Sequence, residues 1–475
     1  MRVYLRLRIF FLLCLSLSFT HSALAQDQES LGQLLLAKGL ITQQDLDKVG
    51  NDLTLEQLLT DKGLINSKEL DSLNKSLTKN QSKAKEENAV KVGFGSKGLY
   101  VKSSDGNWAT NIQWRAQMRY TNPYRSDPRQ ISSFDAPNQS NFEFRRARMK
   151  IGGHGYQPWL KYYFELDLQP SRSSTSSSSA ASTRLIDWRI TVDKYDWLSF
   201  RLGQWKVNYN RERVDSSGRQ TFVERSIVNR IFTVDRQLGA MAFGRLAKGT
   251  FADSNYYFGV FNGEGRGVNN DDNGMLYMGR WQWNFLGREL KWRQSDVSFS
   301  EDPAGSIAIA TASTTGKCTR WSSSGCGNLD GFNKVSSAAV GQYEIDQYVI
   351  ETAFKWRGFA WQQELHNKTI VDKVNNTESD LKGGYAQVGY FFHNIMPSVP
   401  KNMEFALRYA FVDEPNKSDI SLTNTRKEYT GAVNYFIKGH RNKLTFDVSY
   451  LSLDDAFLNQ ETSENRARFQ WDVSF

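Results

Sequence analysis

Arg115 and Arg119 stand four residues apart, and Arg146, Arg148 and Lys150 follow at intervals of two. On an extended chain, side chains two or four apart project to the same face. Each set is therefore a row of cations on one side of its segment. Trp114, Ala116 and Met118, and then Ala147, Met149 and Ile151, occupy the other side. Lys161, Arg189 and Arg201 continue the basic wall, interrupted by Glu165, Asp167, Asp187 and Asp193. A guanidinium stays charged at any relevant pH and presents a fork of N–H donors that matches oxyanions. The chemistry on offer is reversible anion binding. Arg145 has the wrong parity for its row, and a β-bulge would be needed to turn it inward.

Residues 206–236 concentrate more of the same chemistry. Lys206, Arg211, Arg213, Arg219, Arg225, Arg230 and Arg236 outnumber Glu212, Asp215, Glu224 and Asp235, for a net charge of +3. Part of this set is expected to pair with those acids and brace the segment. If the segment faces the basic wall, both sides favour anions.

Catalytic and metal chemistry find little support. The histidines at 21, 154, 366, 393 and 440 are scattered, and neither HExxH nor GxSxG occurs. Gly93, Gly95 and Gly98 fit a GxGxxG pattern, but no βαβ unit follows, so the match is incidental. Cys318 and Cys326 lie in a Ser/Thr/Gly-rich stretch with no cluster of further ligands, and an exported chain would join them as a disulfide. The reading is of a non-enzyme without cofactor or metal.

The elements that position the basic rows have a period of two. Sixteen alternating segments occur near 108–120, 142–152, 159–168, 185–193, 197–205, 237–246, 254–262, 275–285, 289–299, 346–356, 359–369, 384–393, 402–412, 427–437, 443–452 and 466–475. Each is about ten residues, enough for a tilted strand to cross a bilayer. Their connections alternate long and short, from 121–141 (long) and 153–158 (short) to 453–465 (long), with a long loop at 300–345. All nine prolines fall in these connections. In the final segment, Ala467, Phe469, Trp471, Val473 and the terminal Phe475 share one face, an aromatic ending of the kind that barrel assembly machinery recognises. A polar chain (39% hydrophobic) with 13% aromatic residues suits the same architecture, an all-β, 16-stranded antiparallel transmembrane barrel with a wet lumen and aromatic girdles.

Residues 1–25 form a secretory signal peptide, with Arg2, Arg6 and Arg8 before the apolar run Ile9 to Phe19 and cleavage after Ala25. Its removal takes Cys14 away and lowers the formal charge from +9 to +6. Export makes nucleic acid the weakest partner for that charge. Residues 26–88 hold two copies of one pattern at a 24-residue offset, LGQLLLAKGLITQQDLD (31–47) and LEQLLTDKGLINSKELD (55–71). Each copy reads as a short helix (Leu31, Leu34, Leu35; Leu55, Leu58, Leu59) stopped at Lys38-Gly39 or Lys62-Gly63. A second helix then starts at Thr42 with Asp45, or at Asn66 with Glu69. This is a small α-helical periplasmic segment with a polar linker at 75–88, serving as a spacer, a trimer contact or a cell-wall contact. The barrel is then 89–475.

FEFRRARMKIGG (142–153), WLKYYFELDL (159–168), FRLGQWKVNYNRE (200–212), FVERSIVNRIF (222–232) and the closing aromatic strand resemble the phosphate- and polyphosphate-selective porins of Gram-negative outer membranes. The resemblance spans roughly residues 90–475. It implies a homotrimer of barrels embedded in outer-membrane lipid, with loop 206–236 narrowing each pore. It also implies anion contacts at Arg115, Arg145, Arg146, Lys161 and Arg225, with Asp187 as a nearby acid. Family members place a lysine deep in the constriction loop; here only Lys206 is available, at its start, with Arg213 as the nearest basic substitute. The functional expectation is passive diffusion of phosphate-like small anions past Arg115, Arg119, Arg145, Arg146, Arg148, Lys150, Lys161, Arg189, Arg201, Arg213, Arg225 and Arg230. Two alternatives stand beside it. One is a general-diffusion porin whose cations are largely paired; the other is an envelope-tethering protein for which the barrel is only an anchor.

Overall fold

The computed structural model describes residue 36, residues 41–48 and 55–63, residue 68, and residues 90–123, 140–169, 183–270, 273–323 and 325–475. The chain divides into two compact units, Met1–Ala89 and Val90–Phe475.

In the first unit, α1 (Gln43–Lys48) and α2 (Leu55–Asp61) are short helices. Thr42 and Asp45 form a reciprocal cap: the Asp45 amide donates to Thr42 Oγ1 at 3.3 Å, and the Thr42 amide donates to Asp45 Oδ2 at 2.9 Å. Lys62 reaches the same carboxylate at 2.8 Å and holds its pKa well below the usual range, helped by the Thr42 donors. Gly63 ends α2 in the left-handed conformation (φ 69°), which an L side chain rarely adopts. Ile41 and Leu58 are buried against Leu36 and Leu46. The expected helix at Leu31, Leu34 and Leu35, the stop at Lys38-Gly39 and the cap at Asn66 with Glu69 lie outside the described residues.

The second unit is a closed antiparallel barrel. It opens with a hairpin, β1 (Val90–Gly95) and β2 (Gly98–Ser103). The first barrel strands are β3 (Ala109–Asn122), β4 (Asn141–Gly155), β5 (Gln157–Asp167), β6 (Arg184–Tyr195) and β7 (Leu198–Lys206). Two short helices follow, α3 (Arg211–Val214) and α4 (Val228–Phe232). Then come β8 (Arg236–Leu246), β9 (Ser254–Phe261), β10 (Leu276–Trp283) and β11 (Ala304–Gly316), with a loop hairpin of β12 (Arg320–Ser322) and β13 (Gly325–Gly327). The remaining strands are β14 (Tyr343–Trp356), β15 (Phe359–Asp372), β16 (Thr377–Tyr390), β17 (Met403–Pro415), β18 (Thr423–Phe436), β19 (Asn442–Asp455) and β20 (Gln460–Ser474). Each barrel strand pairs with its neighbours, and β20 closes the ring on β3, from Ala467↔Asn122 to Ser474↔Arg115. Leaving out β1, β2, β12 and β13, the ring has sixteen strands.

Three features depart from the sequence expectation. Residues 289–299 are not a strand; the ninth barrel strand is β11, inside the stretch expected to be a long loop. Its alternation is muted because small residues, Ala308, Ala310 and Ala312, form its inner face. In 289–299 the apolar parity breaks between Trp292 and Val297, which is incompatible with one continuous pleat. Second, β15, β16, β19 and β20 run past their apolar bands as polar ladders, so their connections shrink to 373–376 and 456–459 rather than the long loops expected. Third, Pro158 and Pro415 lie inside strands, at positions near or at the ends of β5 and β17 where a missing N–H breaks little of the ladder.

The outer face is apolar with aromatic bands. Tyr409, Tyr429 and Tyr450 adjoin across β17, β18 and β19, with ring centroids 4.9 and 6.4 Å apart. Phe469, Trp471 and Phe475 are exposed on that face. The backbone of Phe475 exchanges hydrogen bonds with Trp114, at 2.9 and 3.2 Å. The hairpin β1–β2 takes up the edge of β3 beyond that point. Gly93, Gly95 and Gly98 belong to this hairpin; a Cβ on Gly98 would collide with the carbonyl oxygens of Ile112 and Phe475. The GxGxxG spacing is therefore a turn packed against a strand end. Cys318 and Cys326 are joined by a disulfide, with Cα atoms 5.5 Å apart.

Candidate functional site

The loop between β7 and β8, residues 207–235, enters the barrel and is almost wholly buried there. One of its sides is apolar. Val207, Tyr209, Ile227, Val228, Ile231, Phe232 and Val234 pack on inward residues of β8–β11 and β14–β17, including Met241, Tyr257, Ile345, Ile370 and Leu381. At roughly 1.5–3 kcal/mol per buried large apolar side chain, this contact dominates the loop's placement. Cys318, Trp321 and Leu329 of the loop after β11 join the same core.

Carboxylates on the far wall fasten the loop by its backbone. The Arg211 amide donates to Glu351 (2.7 Å), the Glu212 amide to Glu364 (2.6 Å), the Val223 amide to Asp447 (2.9 Å) and the Ile227 amide to Glu428 (3.0 Å). Lys368, buried with no carboxylate partner among the described residues, donates to the carbonyls of Ile231 (2.9 Å) and Thr319 (2.7 Å). The segment after β10 meets the loop from the opposite direction: the Thr221 amide donates to Gln294 at 2.7 Å, and Ser295 donates to Glu404 at 2.9 Å. The acids of β14–β20 are thereby engaged by loop amides and by wall arginines, such as Arg280 on Glu351, Arg408 on Glu428 and Arg468 on Asp447.

Across the lumen, β3–β7 carry the basic rows. A β-bulge between Gln117 and Met118 of β3, opposite Arg145, turns Arg145 inward. The same bulge reverses the parity beyond it, so Glu143 also faces inward, 3.8 Å from Arg119. The first two strands are thus not free of inward acid, as strict alternation would have them. Arg119, Arg145 and Arg146 converge on one loop carboxylate, Glu224, at 3.0, 3.1 and 3.2 Å. Arg115 donates to the hydroxyls of Ser216 (2.9 Å) and Ser217 (2.8 Å). Arg213 pairs with Asp235, and Arg225 donates to the carbonyls of Glu212 (2.9 Å) and Asp215 (2.7 Å), so both brace the loop from within. Arg230 lies half-buried on α4.

Below this braced zone, towards the end of the barrel that holds Phe475, lies a cavity of about 700 Å³ between β3–β8 and the loop. Arg148, Lys150, Lys161, Asp187, Arg189 and Arg201 line it, together with Lys97, Lys206, Arg219, Glu165, Asp193 and Asp215, making eight basic residues against four acidic. Some are paired: Arg148 with Glu165 at 2.8 Å, Arg189 with Asp187 at 3.8 Å, and Lys161 with Asp193. Asp187 also holds Arg236. Lys206 donates to the Asp215 carbonyl at 3.1 Å. Lys150, Arg201 and Arg219 make no ion pair within 4.0 Å among the described residues; Glu165 stands across the β4–β5 ladder from Lys150, and Asp215 is the carboxylate acting on Arg219. Arg201 donates to Thr191 (3.4 Å) and Asn208 (3.3 Å).

The structure therefore separates the sequence-derived residues. Arg148, Lys150, Lys161, Asp187, Arg189 and Arg201 share the cavity, whereas Arg115, Arg119, Arg145, Arg146, Arg213, Arg225 and Arg230 do not line it. The five cations that the resemblance nominates as anion contacts are dispersed over these zones. Sequence reasoning passed over Arg219 as one cation among seven in the loop, and it missed Trp205, Phe243 and Trp292 on the cavity wall. Parity on β8 would have found Phe243; Trp292 was hidden by the misplaced ninth strand. His366 is buried, 3.1 Å from Glu364 and stacked on Phe232.

A family model described as phosphate-selective porin O and P matches residues 119–475. No curated protein matches the chain in sequence. Among solved structures, OmpF of Salmonella typhi in complex with daunomycin aligns with a TM-score of 0.50 at 10% identity, covering 78% of this chain and 98% of that one. An anion-selective porin from Comamonas acidovorans aligns at 0.47 and 11% identity, covering 78% and 100%. OmpT of Vibrio cholerae, folded in vitro, aligns at 0.49 and 8%, covering 78% and 98%.

Proposed function

The chain belongs to the phosphate-selective porin O and P family, and from that premise we propose that this outer-membrane porin passes phosphate and related small anions through the open half of its lumen. The observation that carries the reading is the excess of cations on the cavity wall, eight basic residues against four acidic, with Lys150, Arg201 and Arg219 outside any ion pair shorter than 4.0 Å among the described residues. An entering anion exchanges part of its hydration for their N–H donors and moves on, since conduction requires several weak sites rather than one tight one. The braced arginines around Glu224 act differently: they fix the loop, and the loop fixes the width of the path.

We further propose that the chain is a homotrimer, that residues 26–88 stand in the periplasm with a cell-wall contact, and that barrel assembly machinery reads the face of Phe469, Trp471, Val473 and Phe475. The exposure of Phe469, Trp471 and Phe475 supports the last of these. A general-diffusion channel with weak selectivity is the second reading, favoured by the convergence of Arg119, Arg145 and Arg146 on Glu224.

The test is chloride current through purified protein in a planar bilayer, with inorganic phosphate titrated in. Anion preference with block by phosphate supports the first reading. Anion preference without block leaves an anion channel with no phosphate site, and weak or absent preference sinks the first reading and supports the second.

A further inference from the structure

The cavity is built for more than a small spherical anion. Its volume, about 700 Å³, falls in the range of roughly 300–1,000 Å³ that accommodates organic ligands. Its cations form two sets. Lys150 of β4 and Arg219 of the loop line one part of it, with Glu165 across from Lys150; Arg189 and Arg201 stand on the paired strands β6 and β7. The second set is mounted on aromatic faces: the Arg201 guanidinium lies 4.7 Å from the Phe243 ring centroid, and that of Arg189 lies 4.4 Å from Tyr163. Phe243 and Trp292 are half-buried and line the cavity. Trp292 is held edge-on to Tyr257 at 6.0 Å and flanked by Arg280 at 4.7 Å, so its ring is fixed before any solute arrives. A bare oxyanion gains nothing from aromatic surface. A planar ring does, through stacking and through the guanidinium planes beside it.

We propose that the cavity recognises organic anions that carry a planar ring, with the acid group at Lys150 and Arg219 and the ring against Phe243 and Trp292. This rests on the anion-channel reading and narrows its solute class to ring-bearing phosphates and carboxylates.

The test compares three blockers of chloride current through the full protein in a planar bilayer: inorganic phosphate, methyl phosphate and phenyl phosphate. The two esters share a head group and differ in the ring. Phenyl phosphate is expected to half-block at a concentration about tenfold below methyl phosphate. Phe243→Leu, which keeps apolar bulk, should erase most of the difference between the two esters, whatever it does to block by inorganic phosphate. Equal block by the two esters, with inorganic phosphate still blocking, overturns the inference and leaves the anion channel standing. A ring advantage that survives both Phe243→Leu and Trp292→Leu overturns the assigned site. Absence of anion preference removes the channel reading and the inference together.

Discussion

The two sides of the lumen use charge in opposite ways. On the walls of β14–β20, charged groups are consumed by structure: Glu351, Glu364, Glu428 and Asp447 accept loop amides, and Arg280 of β10, with Arg408 and Arg468, neutralises three of these acids. An apolar layer from Val207 to Val234 lies on the β8–β17 part of the ring and excludes water. On β4–β7 the cations outnumber their partners, and Lys150, Arg201 and Arg219 border an open cavity. Buried carboxylates accepting amide hydrogens are each worth about 1.5–3 kcal/mol, so the far wall is a rigid support. On the proposed reading, a count of inward arginines does not measure selectivity; the cations outside close ion pairs set it.

The comparison breaks most visibly if the support fails. Phe232→Asp places a charge in the apolar layer, and an unpaired buried charge costs several kcal/mol. The loop should leave its seat, with a rise in single-channel conductance and a fall in anion preference; unchanged conductance would show that this packing does not hold the loop. Glu364→Gln is milder. It weakens the acceptor for Asn210 (2.9 Å) and for the Glu212 amide (2.6 Å), at about 1.5–3 kcal/mol, and should appear as flickering of an otherwise normal current. Lys150→Gln or Arg201→Gln alters the open side only. Each should move the reversal potential in a KCl gradient towards zero at nearly constant conductance. Arg146→Ala should do least, because Arg119 and Arg145 remain on Glu224. A selectivity loss equal to that of Arg201→Gln would mean that the braced zone, not the cavity, sets the preference.

Much of this was readable from the chain. Alternation located fifteen of the sixteen strands, and the parity of Arg148 and Lys150 placed both on the inner wall. The ninth strand escaped because its inner face is alanine, which carries almost no contrast with the outer Ile307 and Ile309. The need for a bulge at Arg145 followed from parity, but its effect on Glu143 is a property of register, visible only once β3 and β4 are paired. Pairing was the larger gap. Nothing local to Arg119 or Arg146 says that Glu224, far along the chain, will lie between them, and nothing local to Lys150 says that Glu165 across the ladder will close its ion pair on Arg148 instead. The loop's charge of +3 pointed to anions, yet Arg213 and Arg225 are spent within the loop itself.

The most direct test of the account is the reversal potential in a KCl gradient for the wild type and for the triple variant Lys150→Gln/Arg201→Gln/Arg219→Gln. The wild type should show clear anion preference and the variant little or none, with conductance of the same order in both. Preference retained by the triple variant would contradict this, as would a wild-type channel that does not favour anions.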